Sequence, residues 1–232
     1  MERNIDFNEM HKFSFLADQW WNPKGQLKSL HKINTLRLQY MKKYIHLKNK
    51  RIIDIGCGGG IMSESMAIEG AKVMGIDTSE ELIHIAKKHA KNNQLDIDYK
   101  NCSIEEISEK YSNTFDTIFC LELLEHVPYP DRLIKNCAKI LKYGGSAFFS
   151  TLNRNLKSFL FAIIGAEYFL KLIPKGTHKY EKFIKPSELL QWVRKEYLYP
   201  INIQGIGYDI LKREYLFISN IDVNYILVCK KY

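Results

Sequence analysis

No C-x-x-C pair occurs in the 232-residue chain, and its cysteines, Cys57, Cys102, Cys120, Cys137 and Cys229, are an odd number at wide spacing. That pattern excludes a disulfide framework and offers no zinc-ligand spacing, so the thiols are expected to be reduced and buried as small hydrophobes. The opening MERNIDFNEMHKF has no apolar stretch behind a basic start, which argues against a secretory signal. No apolar run reaches the roughly 20 residues that a spanning helix needs. The longest, Phe159 to Ile173, contains Glu167 and Lys171. Internal repeats, low-complexity tracts and Pro/Gly/Ser linkers are missing too. A single domain kept in the cytoplasm is the expectation.

What the chain has is a globular balance, 46% hydrophobic against 26% charged residues, with a formal net charge of +8. Nucleic acid, anionic lipid or a merely lysine-rich composition would each account for that charge, which does not choose among them. Periodicity predicts helices at about Asn8–Trp20 and Lys32–Tyr44, ahead of a strand at Arg51–Gly56. A helix after Gly60, a strand at Lys72–Asp77 and a helix capped by Ser79 and running to about Asn92 follow. Further strands are expected at Ile97–Ser103, Phe115–Leu121 and Gly145–Leu152, with a helix between the last two. Apolar strands alternating with helices predict a doubly wound α/β domain with a mostly parallel sheet. Beyond it, KPSELLQWV opens a helix at Pro186 and Ser187, and INIQGIGYD and VNYILVCKK read as strands that pair antiparallel at the C-terminal edge.

DIGCGGG, Asp54 to Gly60, joins the first strand to the first helix of the sheet, where a glycine turn lets a ligand approach the backbone. The dinucleotide register G-x-G-x-x-G would place its third glycine at Ile61, so that reading fails. Gly56, Gly58 and Gly60 instead form G-x-G-x-G, the form typical of enzymes that use S-adenosylmethionine. Asp77 ends the next strand about 20 residues on, where a carboxylate can accept from both hydroxyls of a ribose. By itself an Asp there can equally be a turn former or helix cap. Ser103 and Ile104, after the third strand, lie where an adenine edge would be read.

CLELLEHVPYP follows the fourth strand at the carboxyl edge of the sheet, where doubly wound folds place their reaction. Glu122, Glu125 and His126 stand at i, i+3 and i+4 and would share one side of a helical turn. Such a set can hold Mg²⁺ or Mn²⁺, or act without metal, one Glu orienting His126 as a general base. Both arrangements suit deprotonation of a phenol, and both stay open. Amino-methylating nucleic-acid enzymes often carry an N/D/S-P-P-Y/F-like segment here; this chain has Leu121-Glu122-Leu123-Leu124.

With these motifs in place the chain resembles the class I methyltransferases and, more narrowly, the ubiquinone biosynthesis O-methyltransferases. The narrower resemblance rests on ADQWWNPKGQLKSLHKINTLRLQYM, DIGCGGGIMSESMAIEGAKVMGID, LELLEHVPYP, STLNRNLKSFLFAIIGAEYFLKLIPKGTHKYEKFIKP and DVNYIL, which cover most of the chain in family order. It implies a Rossmann-like sheet with an antiparallel C-terminal edge strand, N-terminal helices and a helical insertion after the fifth strand. One methyltransferase domain follows: an N-terminal helical lid over about 1–48, a core over 49–153, a hydrophobic and basic insertion over 154–186, and a C-terminal helix with edge strands over 187–232. The implied activity is methyl transfer from S-adenosylmethionine to a catechol-type hydroxyl of polyprenylated ubiquinone precursors, at an early catechol and at demethylubiquinol. Arg37, Gly56, Asp77 and Leu121 would contact the cofactor, Arg37 through the methionine carboxylate. Eukaryotic relatives suggest Glu122, Glu125 and His126 as a magnesium set. The chain departs from the family at Thr35, where Pro is common, and over Tyr208 to Ser219, which reads as less regular. Association with other ubiquinone biosynthesis enzymes is a further expectation. The rival readings are a methyltransferase of another small phenol or of RNA, and a non-enzymatic quinone or lipid binder. No nucleic-acid partner is expected.

SFLFAIIGAEYFLKLIPKGTHKY, Ser158 to Tyr180, is too apolar around its circumference for a helix half in water and too short and charged to span a bilayer. It is read as a helix at the mouth of the site that dips into the inner face of the membrane, with PKGTH, Pro174 to His178, as a hinge. Arg154, Lys157, Lys175, Lys179, Lys182 and Lys185 would face anionic headgroups.

Overall fold

The computed structural model describes residues 4–158, 180–209 and 211–232. Two helices come first, α1 (Phe7–Ser14) and α2 (Lys28–Lys42). The alternating core then runs β1 (Arg51–Ile55), α3 (Ile61–Ile68), β2 (Lys72–Asp77), α4 (Glu80–Asn92), β3 (Ile97–Asn101), α5 (Ile104–Lys110), β4 (Phe115–Leu121), α6 (Pro130–Ile140) and β5 (Leu141–Leu152). A helical turn, α7 (Leu156–Ser158), then α8 (Pro186–Lys195), β6 (Leu198–Asp209), β7 (Glu214–Ile218) and β8 (Asn224–Lys231) follow.

The strands form one sheet in the order β3-β2-β1-β4-β5-β8-β6-β7. Pairing is parallel from β3 through β5; β8 lies antiparallel to β5 and β6, and β7 antiparallel to β6. Strands such as RIIDI and FDTIFCL are almost wholly buried because helices cover both faces of the sheet. On one face Tyr40 and Met41 of α2 and Met62 and Met66 of α3 pack on Ile52, Val73, Phe119 and Phe148. On the other, Ile104 of α5, Ile134 of α6 and Leu189 of α8 pack on Ile53, Ile118 and Phe149. Strand order reverses between β1 and β4, so the loops leaving these two strands open into a single crevice. The glycine turn and the acidic segment therefore meet in space.

Several element boundaries differ from expectation. The first helix stops at Ser14, and a 3-10 turn at Ala17–Gln19 follows, because the chain must double back to lay Trp20 and Trp21 on the glycine turn. The second helix begins at Lys28 and ends at Lys42. Helix α5 was not expected, although Ser103-x-x-Glu106 is a capping-box pattern; Ser103 caps it and Glu106 reaches back. The region from Tyr208 to Ser219, read as irregular, contains β7 paired with the end of β6. Cys57, Cys120, Cys137 and Cys229 are buried, Cys102 is half-buried, and all five are free thiols. No described helix is long and apolar enough to cross a membrane. The lipid-facing helix and the PKGTH hinge fall on residues 159–179, outside the described residues.

Gly60 begins α3 at φ +92°, and a Cβ there would collide with the Tyr99 hydroxyl, whereas Gly144 at φ +74° has nothing within 4 Å. Gly144→Ala is expected to cost only the left-handed backbone term, about 1–2 kcal/mol. Gly60→Ala adds overpacking of about 1–3 kcal/mol to that term. Urea unfolding of the two variants checks the difference.

Candidate active site

At the crevice a cavity of about 450 Å³ is lined by Arg37, Gly56, Gly58, Asp77, Ser103, Ile104, Leu121, Glu122 and His126. A void of this size suits a small molecule. Gly60 and Glu125, expected in the same set, do not line it. A Cβ on Gly60 would meet Tyr99 and Ala86.

The glycine turn is built on left-handed backbone, with Gly56 at φ +71° and Gly58 at φ +54°. Such angles strain any residue with a Cβ. The bare side of Gly58 and Gly59 is filled by the indole of Trp20, and Trp21 Nε1 donates to the Gly59 carbonyl at 2.8 Å. Trp21 stacks on His89 with ring centroids 3.4 Å apart. Part of the glycine requirement thus comes from the N-terminal segment rather than from a ligand. Asp77 accepts from Gly58 N and Ser79 N, both at 2.9 Å. Burial raises its pKa and those amides oppose the rise. Each carboxylate oxygen retains acceptor capacity toward the cavity.

Glu122, just beyond β4, takes the left-handed region at φ +53°, uncommon for a residue with a side chain. Its carboxylate accepts from Arg37 Nη2 at 2.5 Å, Ser150 Oγ at 2.7 Å and Asn224 Nδ2 at 3.1 and 3.2 Å. Arg37 is therefore buried and paired rather than solvated, and its Nε has no acceptor among the described residues. Glu125 is buried behind this layer, accepting from Thr151 Oγ1 at 2.8 Å, while its Oε1 has no partner among the described residues. Burial first, then the charge of Glu122, raises its pKa to about 8. It is a neutral acid near pH 7. His126 places Nδ1 2.9 Å from Glu9 Oε2 on α1.

The structure thus corrects the expected acidic set. Glu122, Glu125 and His126 do not share one side of a helical turn, because the strained backbone at Glu122 and the 3-10 turn Leu124–His126 send them to separate partners. Among the described residues no three His, Cys, Asp or Glu side chains converge where a metal could be held. Their donor set does not fit Mg²⁺, whose octahedral shell demands converging oxygens.

Sequence reasoning missed Glu9, Trp20, Ser150 and Asn224, which touch this site from distant elements; Glu9 and His126 are 117 residues apart. The cavity is also lined by Phe13, Leu152, Ile206, Tyr208, Tyr215, Ile218 and Val223, an apolar and aromatic set. A carboxylate, an imidazole and a left-handed glycine turn around an apolar chamber can deprotonate a hydroxyl beside a bound adenosine-type molecule.

A methyltransferase-domain family model matches residues 26–211. A ubiquinone biosynthesis O-methyltransferase from Coxiella burnetii is 52% identical over 225 residues, covering 97% of this chain and 96% of that protein. A relative of the same name from Hahella chejuensis is 47% identical, covering 97% and 94%. Among solved structures, a possible histamine N-methyltransferase from Thermotoga maritima aligns with a TM-score of 0.70 at 19% identity, covering 97% of this chain and 100% of that one. A magnesium protoporphyrin IX methyltransferase from Synechocystis with bound SAH gives 0.68 at 16% identity, covering 97% and 94%. At these identities the structural likenesses carry the class I fold.

The raised Glu125 pKa sets a pH signature. A carboxyl whose folded pKa lies above its unfolded value contributes stability that is full below about pH 4.5 and is lost as pH rises through about 8. Glu125→Gln, which cannot ionise, is expected to abolish that loss. Its melting temperature should equal or exceed the parent's at pH 9 and change less between pH 6 and 9, as differential scanning calorimetry will show.

Proposed function

From its membership of the ubiquinone biosynthesis O-methyltransferases, to which this chain belongs, we propose that the cavity at the β1–β4 crevice is where it methylates an oxygen of a ubiquinone precursor with S-adenosylmethionine. The observation that carries this reading is that Asp77 and the glycine turn line the same cavity as Glu122 and His126. S-adenosylmethionine brings a methyl group on a cationic sulfur, an electrophile that needs alignment more than activation. Of the residues that line the cavity, Asp77 would accept from the ribose hydroxyls, Ser103 and Ile104 would border the adenine, and Gly56 and Leu121 would bound the space between. Arg37, which lines the cavity while its Nη2 holds Glu122, supplies the guanidinium charge for the methionine carboxylate.

The substrate is a polyprenylated catechol or quinol whose ring lies against Tyr208 and Tyr215. His126 takes the phenolic proton, which a base must accept near neutral pH because an unperturbed phenol has a pKa of about 10. Since the acidic set does not converge, no step is routed through a divalent ion. The chain works as one methyltransferase domain with residues 1–48 as its lid. It meets an anionic inner membrane face through 154–185, where Lys157 pairs with Asp222 at 2.6 Å, Lys182 with Asp6 at 2.7 Å and Arg154 with Glu188. Such partly exposed pairs are weak enough to exchange for headgroup phosphates. Flotation with anionic liposomes tests the attachment, and failure to float would remove it.

Incubation with labelled S-adenosylmethionine and a short-chain demethylubiquinol is expected to give a methoxy product at a rate unchanged by EDTA. Loss of activity on chelation, restored by Mg²⁺, would overturn the metal-free mechanism. His126→Ala should lower kcat by about 10²–10⁴-fold. Asp77→Ala should instead weaken cofactor binding by about 10–100-fold in calorimetry, as loss of hydrogen bonds to a charged acceptor costs about 1.5–3 kcal/mol.

A further inference from the structure

Helix α1 begins with Asp6-x-x-Glu9, an arrangement in which the acid at the third helical position ordinarily folds back onto the cap. Asp6 does its part, accepting from Asn8 N at 3.0 Å and Glu9 N at 3.3 Å. Glu9 does not. Its carboxylate turns inward, is 3% exposed, and bonds His126 Nδ1 at 2.9 Å and Lys12 Nζ at 2.9 Å. One turn along, Phe13 sets its ring edgewise on the imidazole, with centroids 5.0 Å apart at 86°. Two residues of one short helix thus hold a single histidine.

Docking of α1 gives no independent reason for this costly burial of a carboxylate. The helix is already seated by the paired bonds of Asn4 with the Tyr129 backbone, both at 2.8 Å, by Lys182 on Asp6 and by Ser14 Oγ on Ser79 Oγ at 2.8 Å. Glu9 and His126 also both line the cavity. The hydrogen bond to His126 holds the Glu9 pKa down at about 2, against the opposing effect of burial, so the carboxylate stays ionised.

We propose that Glu9 is a positioning residue for the methyl transfer: its carboxylate accepts a hydrogen bond from His126 Nδ1–H, fixing the imidazole tautomer and ring orientation so that Nε2 is the basic nitrogen. The inference rests on His126 being the base. In the step, the hydroxyl proton passes to Nε2 while the Nδ1 proton stays between the ring and Glu9. The oxygen electron pair forms the bond to the methyl carbon, the pair of the broken carbon–sulfur bond remains on sulfur, and the imidazolium returns its proton to solvent. A carboxylate on the N-terminal segment thereby completes a base on the loop after β4, and the base is organised only when α1 is seated.

The test combines kinetics with spectroscopy on the full chain. Glu9→Gln and Glu9→Ala are expected to lower kcat by about 10–10³-fold. Calorimetric affinity for S-adenosylmethionine should stay within about twofold, and Glu9→Asp should recover part of the rate. In ¹⁵N-histidine-labelled unmutated protein at a pH where the ring is neutral, His126 should show the Nδ1–H tautomer, and Glu9→Ala should shift it toward Nε2–H. Full kcat in both the Gln and Ala variants, or an Nε2–H tautomer in the unmutated protein, overturns the proposal. If Glu9→Ala fails to fold, Glu9→Gln and the spectrum of the unmutated protein decide it. An active His126→Ala would overturn the base itself and the inference with it, whereas an inactive His126→Ala beside fully active Glu9 variants would overturn only the role of Glu9.

Discussion

Glu122 is the point at which four elements meet. Its carboxylate receives Arg37 from α2, Ser150 from β5 and Asn224 from β8, while its own backbone, leaving β4 at positive φ, is bonded to Ser150. A largely buried carboxylate tolerates its desolvation only when it is ion-paired and hydrogen-bonded in this way. Its charge is then felt by the layer behind, where it raises the pKa of Glu125 in addition to the effect of burial. The pair of acids divides into one ionised and one neutral group because two adjacent buried carboxylates do not ionise together.

The N-terminal segment is part of the same construction. Trp20 fills the space that side chains on Gly58 and Gly59 would need, Trp21 bonds the Gly59 carbonyl, and Glu9 reaches the imidazole across the cavity. Residues ahead of the first strand therefore shape both the cofactor wall and the reacting edge. In an open α/β sheet the strand ends leave the crevice uncovered on one side, and here residues of a short capped helix and the Trp20 indole are among those that line it.

Much of this was legible before the structure. Apolar runs such as RIIDI and KVMGID mark strands buried on two faces, the glycine turn marks the nucleotide-type crevice, and Ser79 marks the start of α4, since each depends on local backbone and near neighbours. The i, i+3, i+4 spacing of Glu122, Glu125 and His126 misled because it presumes a regular helix, and a left-handed residue at the first position breaks that geometry. The second tryptophan and the Asp6-x-x-Glu9 pattern were visible but mute, their partners lying on other elements.

The sequence by itself determined most of the alternation of strands and helices and the chemistry available at the crevice, because these follow from periodicity, turn residues and motif spacing along the chain, and its motif blocks carried the resemblance to the family. Only the tertiary structure decided which acid is ionised, which residue holds the imidazole and why two of the glycines are bare. Those outcomes depend on burial and on contacts such as that between Glu9 and His126, 117 residues apart. Desolvation and hydrogen bonding act through space and leave no periodic trace in the order of residues.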